Sequence, residues 1–480
     1  MPMQFHHLPL LGSALPALVA AVIQLAPAQE TPPAPPALSN AITPLAVLTA
    51  MERVADWQLA NPSKHKETDW TQAAGDAGMM ALAGLSGDKK YRDAMVRMGE
   101  RNGWQPGART SHADDHCVGQ TYAELYFQAR DPRMLAPLKA RFEDILTNPH
   151  EGTLEFKTPG NQDRWSWCDS LFMAPPAWLR LYVATGDTRY LELSVNHWWR
   201  TSDYLYDKKE HLYYRDSTYF DKRESNGKNV FWGRGNGWVM GGLVRMLQYL
   251  PDKHPARARF EQQFKDMAAK ILACQQTDGL WRASLLDPAS YPLKETSSSG
   301  FFTYALAWGA NQHLLERTTC EPAVRKAWAA LVACVQADGK LTHVQPIGAD
   351  PKSFADAATE VYGTGAFLLA GSEIYRLAAL AKSTPRVVTV TNPADFSRTC
   401  ETMTVDLTQQ VRSPVVMEGL TSRILDSQVI DKQLLFQVDL APGETRHYLV
   451  LSSKQLAAVP LTDIKTHACF VPVIKGQRNN

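Results

Sequence analysis

Along the chain a short opening of polar or small residues repeatedly runs into an apolar helix, then a turn, then a second helix with a charged outer face. The openings are Asp69-Trp70, Asp115-His116, Asp169-Ser170, Asn236-Gly237, Ser299-Gly300 and Gly363-Thr364, spaced 46 to 67 residues apart. Each interval holds two helices and their loops at about 1.5 Å per residue in a helix. The helices that begin at these openings are rich in Ala, Gly, Met and Leu, the composition of a buried inner layer. Between them, Lys89–Glu100, Pro132–Leu146, Thr188–Tyr204, Ala256–Cys274 and Glu321–Val335 show polar outer faces. Several follow a turn and an acidic cap, as in Gly87-Asp88, Asp131-Pro132 and Gly186-Asp187. Pro44–Ala60 supplies the first outer partner, making twelve helices. Six helical hairpins closed in a ring form an all-α (α/α)6 barrel, here over residues 44–382. Left open, the same hairpins form a solenoid that serves as a binding scaffold. In the ring every inner helix starts at one rim, so six N-termini present partial positive charge and unpaired N–H groups to a single funnel, which favours an anionic ligand.

After Leu380 the period changes. Arg386–Thr391, Met403–Leu407, Leu434–Leu440 and His447–Leu451 alternate or are β-branched, with Pro442-Gly443 as a turn. They predict a small β-sandwich appended over residues 383–480, with Ile464–Asn480 as a loosely attached tail. At the other end, the apolar run Leu8–Leu25 followed by Ala26-Pro27-Ala28 reads as a secretory signal peptide over residues 1–28, hence a secreted or periplasmic protein. Residues 29–43, rich in Pro and Ala, read as a flexible leader. No later segment is apolar enough to span a bilayer.

Composition narrows the partners. With 50 Lys and Arg against 49 Asp and Glu in 480 residues, the charge of +1 gives no general attraction to nucleic acid or membrane surfaces. A hydrophobic content of 45% with 21% charged residues is that of a globular chain. The 13 Trp and 16 Tyr supply flat faces of the kind that stack on sugar rings, though cores use the same residues. Seven Cys with no CxxC pair exclude a zinc knot and a thioredoxin motif. They leave one or two disulfides and buried free thiols as equal alternatives.

Three clusters carry candidate chemistry. The first is Trp165-Ser166-Trp167-Cys168-Asp169-Ser170. A carboxyl set among Trp165, Trp167 and Phe172 is desolvated, which raises its pKa and suits Asp169 to general-acid work; the alternative is a helix N-cap. The second is Asp114-Asp115-His116. If Asp115 faces Asp169 across the funnel, like charges leave one acid protonated and the other ionised, with Asp114 as the outward residue or cap. His116 has no second His at ligand spacing, so no metal is expected. The third is Trp232-Gly233-Arg234-Gly235-Asn236-Gly237-Trp238. Here a Gly-rich turn admits a ligand and Arg234 offers a planar fork to a carboxylate. Upstream, Tyr213-Tyr214-Arg215-Asp216 adds a second Arg or, alternatively, a solvated ion pair. Trp70, Ser298, Ser299 and Tyr362 stand at other inner-helix openings and line the same cup. No Gly-x-Ser-x-Gly elbow, dinucleotide fingerprint or P-loop is present, and no cofactor is expected.

The strings from Asp114 to Tyr122, Trp167 to Met173, Trp232 to Trp238, Gly300 to Trp308 and Tyr362 to Ala370 together resemble glycoside hydrolase family 105, the unsaturated rhamnogalacturonyl and glucuronyl hydrolases. The resemblance covers Pro44 to Leu380. It implies an exo-acting enzyme whose substrate is an unsaturated oligosaccharide left by a polysaccharide lyase, from which it removes the terminal Δ4,5-unsaturated uronic acid. It implies Asp169 as the proton donor to the vinyl ether, Asp115 as the second functional acid, and Arg234, Trp232 and Trp238 as the sugar-binding turn. Where some members carry a His, this chain has Arg215, a departure that bears on the sugar beyond the cleaved bond. Two other readings remain: an (α/α)6 hydrolase or isomerase acting on a saturated uronoside, and a non-catalytic periplasmic oligosaccharide-binding protein.

Overall fold

The computed structural model of the protein describes residues 37–381, 385–407, 411 and 413–458. The expected signal peptide, the first part of the leader and the tail from Ile464 lie outside the described residues.

The helices run α1 (Pro44–Ala60), α2 (Trp70–Ala83), α3 (Lys90–Arg101), α4 (Ala113–His116), α5 (Gly119–Ala129), α6 (Ala136–Thr147) and α7 (Ser170–Met173). They continue with α8 (Pro175–Thr185), α9 (Thr188–Leu205), α10 (Gly233–Leu247), α11 (Arg257–Ala273), α12 (Thr296–Asn311), α13 (Arg317–Val332) and α14 (Val361–Leu380). Local chemistry sets many starts. Thr43 caps α1 ahead of Pro44, Asp69 caps α2, Asp187 caps α9, and Glu295 takes the Ser297 and Ser298 N–H groups of α12. Two expected inner helices are each broken into a short and a long piece. The helix opening at Asp169 stops at Met173 because Pro175 and Pro176 have no N–H to donate, and α8 restarts with them in its first turn. The helix opening near Asp115 is likewise split into α4 and α5.

Helix α2 packs on α5, α5 on α8, and α8 and α7 on α10; α10 packs on α12, α12 on α14, and α14 on α2 again, so the inner circuit closes on itself. Helices α1, α3, α9, α11 and α13 lie outside it against their inner neighbours. The inner helices are buried almost all round: every residue of α10, and every residue of α12 but its last, is inaccessible. In the middle of the circuit the half-buried Glu124 carboxylate accepts from Arg245 at 2.7 Å and from Arg180 at 2.8 Å, and Arg245 also donates to Gln120. This ties α5, α8 and α10 together, two guanidinium groups sharing one carboxylate.

A hairpin of β1 (Tyr206–Asp207) and β2 (Leu212–Tyr213) interrupts the α9–α10 connection. The C-terminal strands are β3 (Arg386–Thr391), β4 (Arg398–Asp406), β5 (Pro414–Glu418), β6 (Ile424–Leu425), β7 (Ser427–Ile430), β8 (Gln433–Leu440) and β9 (Thr445–Ser452). They form two antiparallel sheets, ordered β3-β9-β5-β6 and β4-β8-β7, with Val405, Val416, Phe436, Val438 and Tyr448 in a shared apolar cluster. This region is joined firmly to the helices. The β5–β6 loop sits against the C-terminal ends of the inner helices: Gly419 O accepts from Gln312 and Arg376, and Leu420 O from Gln248 and Trp308. Ser422 donates to Glu373, and Val415, Met417 and Leu449 merge into the helical core.

Among the described residues every cysteine is a free thiol, and no helix is long and apolar enough to cross a membrane.

Candidate active site

At the opposite ends of the inner helices, their N-termini, stretches far apart in sequence converge. Asp169 stands immediately before α7 in helical backbone geometry, yet its carboxylate caps no helix N–H. The N-cap alternative therefore fails. The side chain instead takes a hydrogen bond from the Cys168 thiol at 3.2 Å, and the residue is 9% exposed. Gly235, in the first turn of α10, passes so close that a Cβ there would reach the Cys168 sulfur at 3.1 Å and Asp169 Oδ1 at 3.7 Å. Burial raises the Asp169 carboxyl above the usual carboxylate range, while the guanidinium groups of Arg215 and Arg234 and the Cys168 hydrogen bond work against that rise.

The Arg215 segment is held beside Asp169 by a bridge between Trp167 and Asp216 and by a Cys168 N–H to Arg215 O hydrogen bond of 2.8 Å. Arg215 and Asp216 are not a solvated pair. Asp216 is buried, accepts from Arg215 at 2.5 Å and caps the Thr218 turn, and the Arg215 guanidinium lies 4.6 Å over the Phe156 ring.

The two neighbouring acids differ in what holds them. Asp115 does not turn a free carboxylate toward Asp169. Its Oδ1 accepts from Arg109 Nη2 at 2.5 Å and Nε at 3.1 Å, and its Oδ2 from the Arg109 backbone N–H at 2.6 Å. Asp114, expected as the outward residue or cap, is mostly buried, with Oδ2 3.8 Å from Arg109 Nη2 and 3.7 Å from His112 Nδ1. Burial pushes its carboxyl up to about 8; Arg109 opposes this, and Asp169, Asp115 and Asp69 push it further up. His112 caps α4 through Nδ1, and burial lowers it to about 4. His116 is a structural residue, bonded to Thr110 O at 2.8 Å and accepting from the Trp178 indole at 3.3 Å.

Arg234 is fully buried between two rings, 4.5 Å from Trp232 and 4.9 Å from Tyr362. Its terminal nitrogens donate to the carbonyls of Gln345 and, at 2.9 Å, Pro346, so its fork is committed to backbone rather than open to a carboxylate. Gln345 also accepts from the Trp232 indole at 2.8 Å and, through its carbonyl, from the Tyr362 hydroxyl at 2.6 Å. The remaining aromatics form a wall. Trp70 stacks on Tyr362 at 5.4 Å, and Trp238 meets Trp70 edge-on at 5.9 Å and Phe301 at 4.6 Å. Trp167, Trp232, Trp238 and Tyr362 are all buried, leaving half-buried Trp70 as the indole with an open face. Trp165 belongs to the core: its indole donates to Ser111 O at 3.0 Å and its ring packs on His116, Trp178 and His197. Ser298 and Ser299 bond to Glu295.

Residues 46–378 match the profile described as Glycosyl Hydrolase Family 88. The chain belongs to this family. A family 88 glycosyl hydrolase from Bacteroides vulgatus, of known structure, is 32% identical and superposes with a TM-score of 0.63 over 70% of this chain and 99% of its own. A Formosa agariphila protein named unsaturated 3S-rhamnoglycuronyl hydrolase is 41% identical over 342 residues, 68% of this chain and 90% of the relative. A structure described as a possible member of GH105 from Salmonella enterica shares the fold at 20% identity, with a TM-score of 0.58 over 69% of this chain and 94% of its own. The resemblance to family 105 thus stands beside membership of family 88, and the protein is a glycoside hydrolase. The family 88 match ends before β3, so the C-terminal sheets lie beyond it.

Arg109, Cys168, Gln345 and Phe156 join the site although the sequence did not single them out. Gln345 and Pro346 follow Arg234 by more than a hundred positions, and no local pattern announces them.

Proposed function

We propose that this protein is an exo-acting unsaturated uronyl hydrolase. It takes a Δ4,5-unsaturated uronic acid from the non-reducing end of lyase-generated oligosaccharides of the unsaturated 3S-rhamnoglycuronyl kind named in its relative. The observation that carries the reading is Asp169: a buried carboxyl with raised proton affinity, free of any capping duty, on which the Arg215 and Arg234 charges act. The closed circuit of inner helices supports an (α/α)6 barrel whose funnel opens at this rim.

In the reaction Asp169 donates its proton to C4 of the vinyl ether, and positive charge develops at C5 and the ring oxygen. Water, deprotonated by the same carboxylate, adds at C5, which restores the proton to Asp169. The hemiketal opens to a C5 ketone, leaving C1 as a hemiacetal of the departing sugar, which breaks down to release it. No covalent enzyme intermediate is needed, so the two acids need not keep the separations of ordinary glycosidases. We assign Asp114 the second acid's role in place of Asp115, and Arg215 the nearest cationic support for the uronate. Trp70 supplies the exposed stacking face. The apolar run Leu8–Leu25 and the small residues after it support an exported protein.

The test is to mix the purified protein with unsaturated oligosaccharides from sulfated rhamnose-containing, rhamnogalacturonan, glucuronan-type and glycosaminoglycan sources. The ultraviolet absorbance of the conjugated double bond is then followed. Its loss is expected, fastest with the first source; persistence with all four in folded protein would remove the assignment.

A further inference from the structure

Asp115 holds three donors of one residue, Arg109, and its own carbonyl accepts the Gly107 N–H at 2.9 Å. Gly107 lies so close to Asp115 that no side chain fits there: a Cβ would stand 2.6 Å from the Asp115 Cβ and 2.7 Å from its Oδ2. Arg141 fastens the other side of the loop by donating to Gly107 O at 2.8 Å. The result is a rigid 107–109 loop that sets the Arg109 guanidinium down 3.8 Å from Asp114 Oδ2 while half of the side chain faces solvent. Asp114 therefore has one cation placed beside it by its own sequence neighbour.

We propose that Arg109, clamped by Asp115, is a positioning residue for the reaction, setting how far Asp114 is ionised and so which member of the Asp114–Asp169 pair holds the proton. This rests on the reading of that pair given above. The charged and titratable groups around Asp114 are Arg109 on the preceding loop, His112 and Asp115 on its own turn, Asp69 at the start of α2, and Asp169 before α7. Four of these five are acids or a His held neutral by burial, so Arg109 is the cation among them that favours the Asp114 anion. Asp115, on this account, acts through Arg109 and touches no substrate.

The experiment titrates Asp114 directly by carboxyl carbon NMR in the full-length protein, with the resonance assigned by its absence in Asp114→Asn. The same titration is repeated in Arg109→Met, Arg109→Lys and Asp115→Asn. Removing the cation should move the Asp114 titration up by about one pH unit or more. Arg109→Lys should restore most of the wild-type position, and Asp115→Asn, which loosens Arg109 but also removes an acid that pushes Asp114 up, should move it less than Arg109→Met does. The pH profile of kcat on an unsaturated disaccharide should move in the same direction. An Asp114 titration that stays put or falls in Arg109→Met overturns the proposal, as does slower turnover with a superimposable pH profile. If wild type leaves every unsaturated oligosaccharide intact, the functional reading fails, and the titration still decides the role of Arg109. Because half of the Arg109 side chain faces solvent, its replacement opens no core cavity.

Discussion

A carboxylic acid delivers a proton near neutrality when its surroundings penalise the anion, and the neighbourhood of Asp169 does so by burial against two arginines that pull the other way. The balance makes the side chain's chemistry separable from its shape. Asp169→Asn keeps the size and the buried position but has no proton to give, so turnover should fall about 10²- to 10⁴-fold while affinity for an unsaturated disaccharide changes little. Kinetics together with calorimetric binding check this, and near-wild-type turnover would remove Asp169 from the proton transfer. The sequence made Asp169 a candidate through the indoles beside it and the helix after it. It could not separate the acid from a cap, because that depends on where one rotatable side chain points. Arg234 shows the converse: its importance was legible in the Gly-rich turn, but the carbonyls that occupy its nitrogens come from a loop no local pattern connects to it.

At the level of elements, helix packing brings the aromatic wall together. Gly75 and Gly78 of α2 and Gly365 of α14 let two backbones touch: a Cβ at Gly78 would stand 2.7 Å from the Gly365 Cα, and one at Gly365 would overlap Ala74 O. That approach lets Trp70 at the start of α2 stack on Tyr362 in the first turn of α14. Gly365→Ala should cost about 1–3 kcal/mol by forcing the helices apart. Gly348→Ala, where the nearest atom to a new Cβ is 3.7 Å away, should cost close to nothing by comparison. Urea unfolding of both variants compares them, and equal midpoints would show that the contact is slack. The small-residue composition of the inner helices was plain in the sequence, and so were the four longer C-terminal strands. The short strands β5 to β7 were missed, since two to five residues carry too little period to distinguish strand from loop.

For the whole molecule, the C-terminal sheets do more than follow the helices. Four donors from α10 and from the C-terminal ends of α12 and α14 converge on the Gly419 and Leu420 carbonyls, closing the inner circuit on the side away from the acids. Arg376 is buried and donates there. Replacing it by Met leaves part of that carbonyl demand unmet, a loss of about 1–3 kcal/mol. Helical and β parts should therefore unfold together in one urea transition, read by far-ultraviolet dichroism and tryptophan fluorescence, with an earlier midpoint in Arg376→Met. Two separated transitions, or an unchanged midpoint, would make the sheets an independent appendage.

The amino-acid pattern by itself determined the alternation of apolar inner and polar outer helices, the switch to strands after Leu380, and the family motifs at the helix openings. Those features depend on neighbours within a few residues, where periodicity and capping act. Tertiary structure alone decided which of Asp114 and Asp115 is taken up by Arg109, which indoles are wall and which are core, and what occupies Arg234. On a helix successive residues point about 100° apart, so two adjacent acids are alternatives until the rotation of the helix is known. That rotation is set by packing against α2 and α7, from elements distant in the chain.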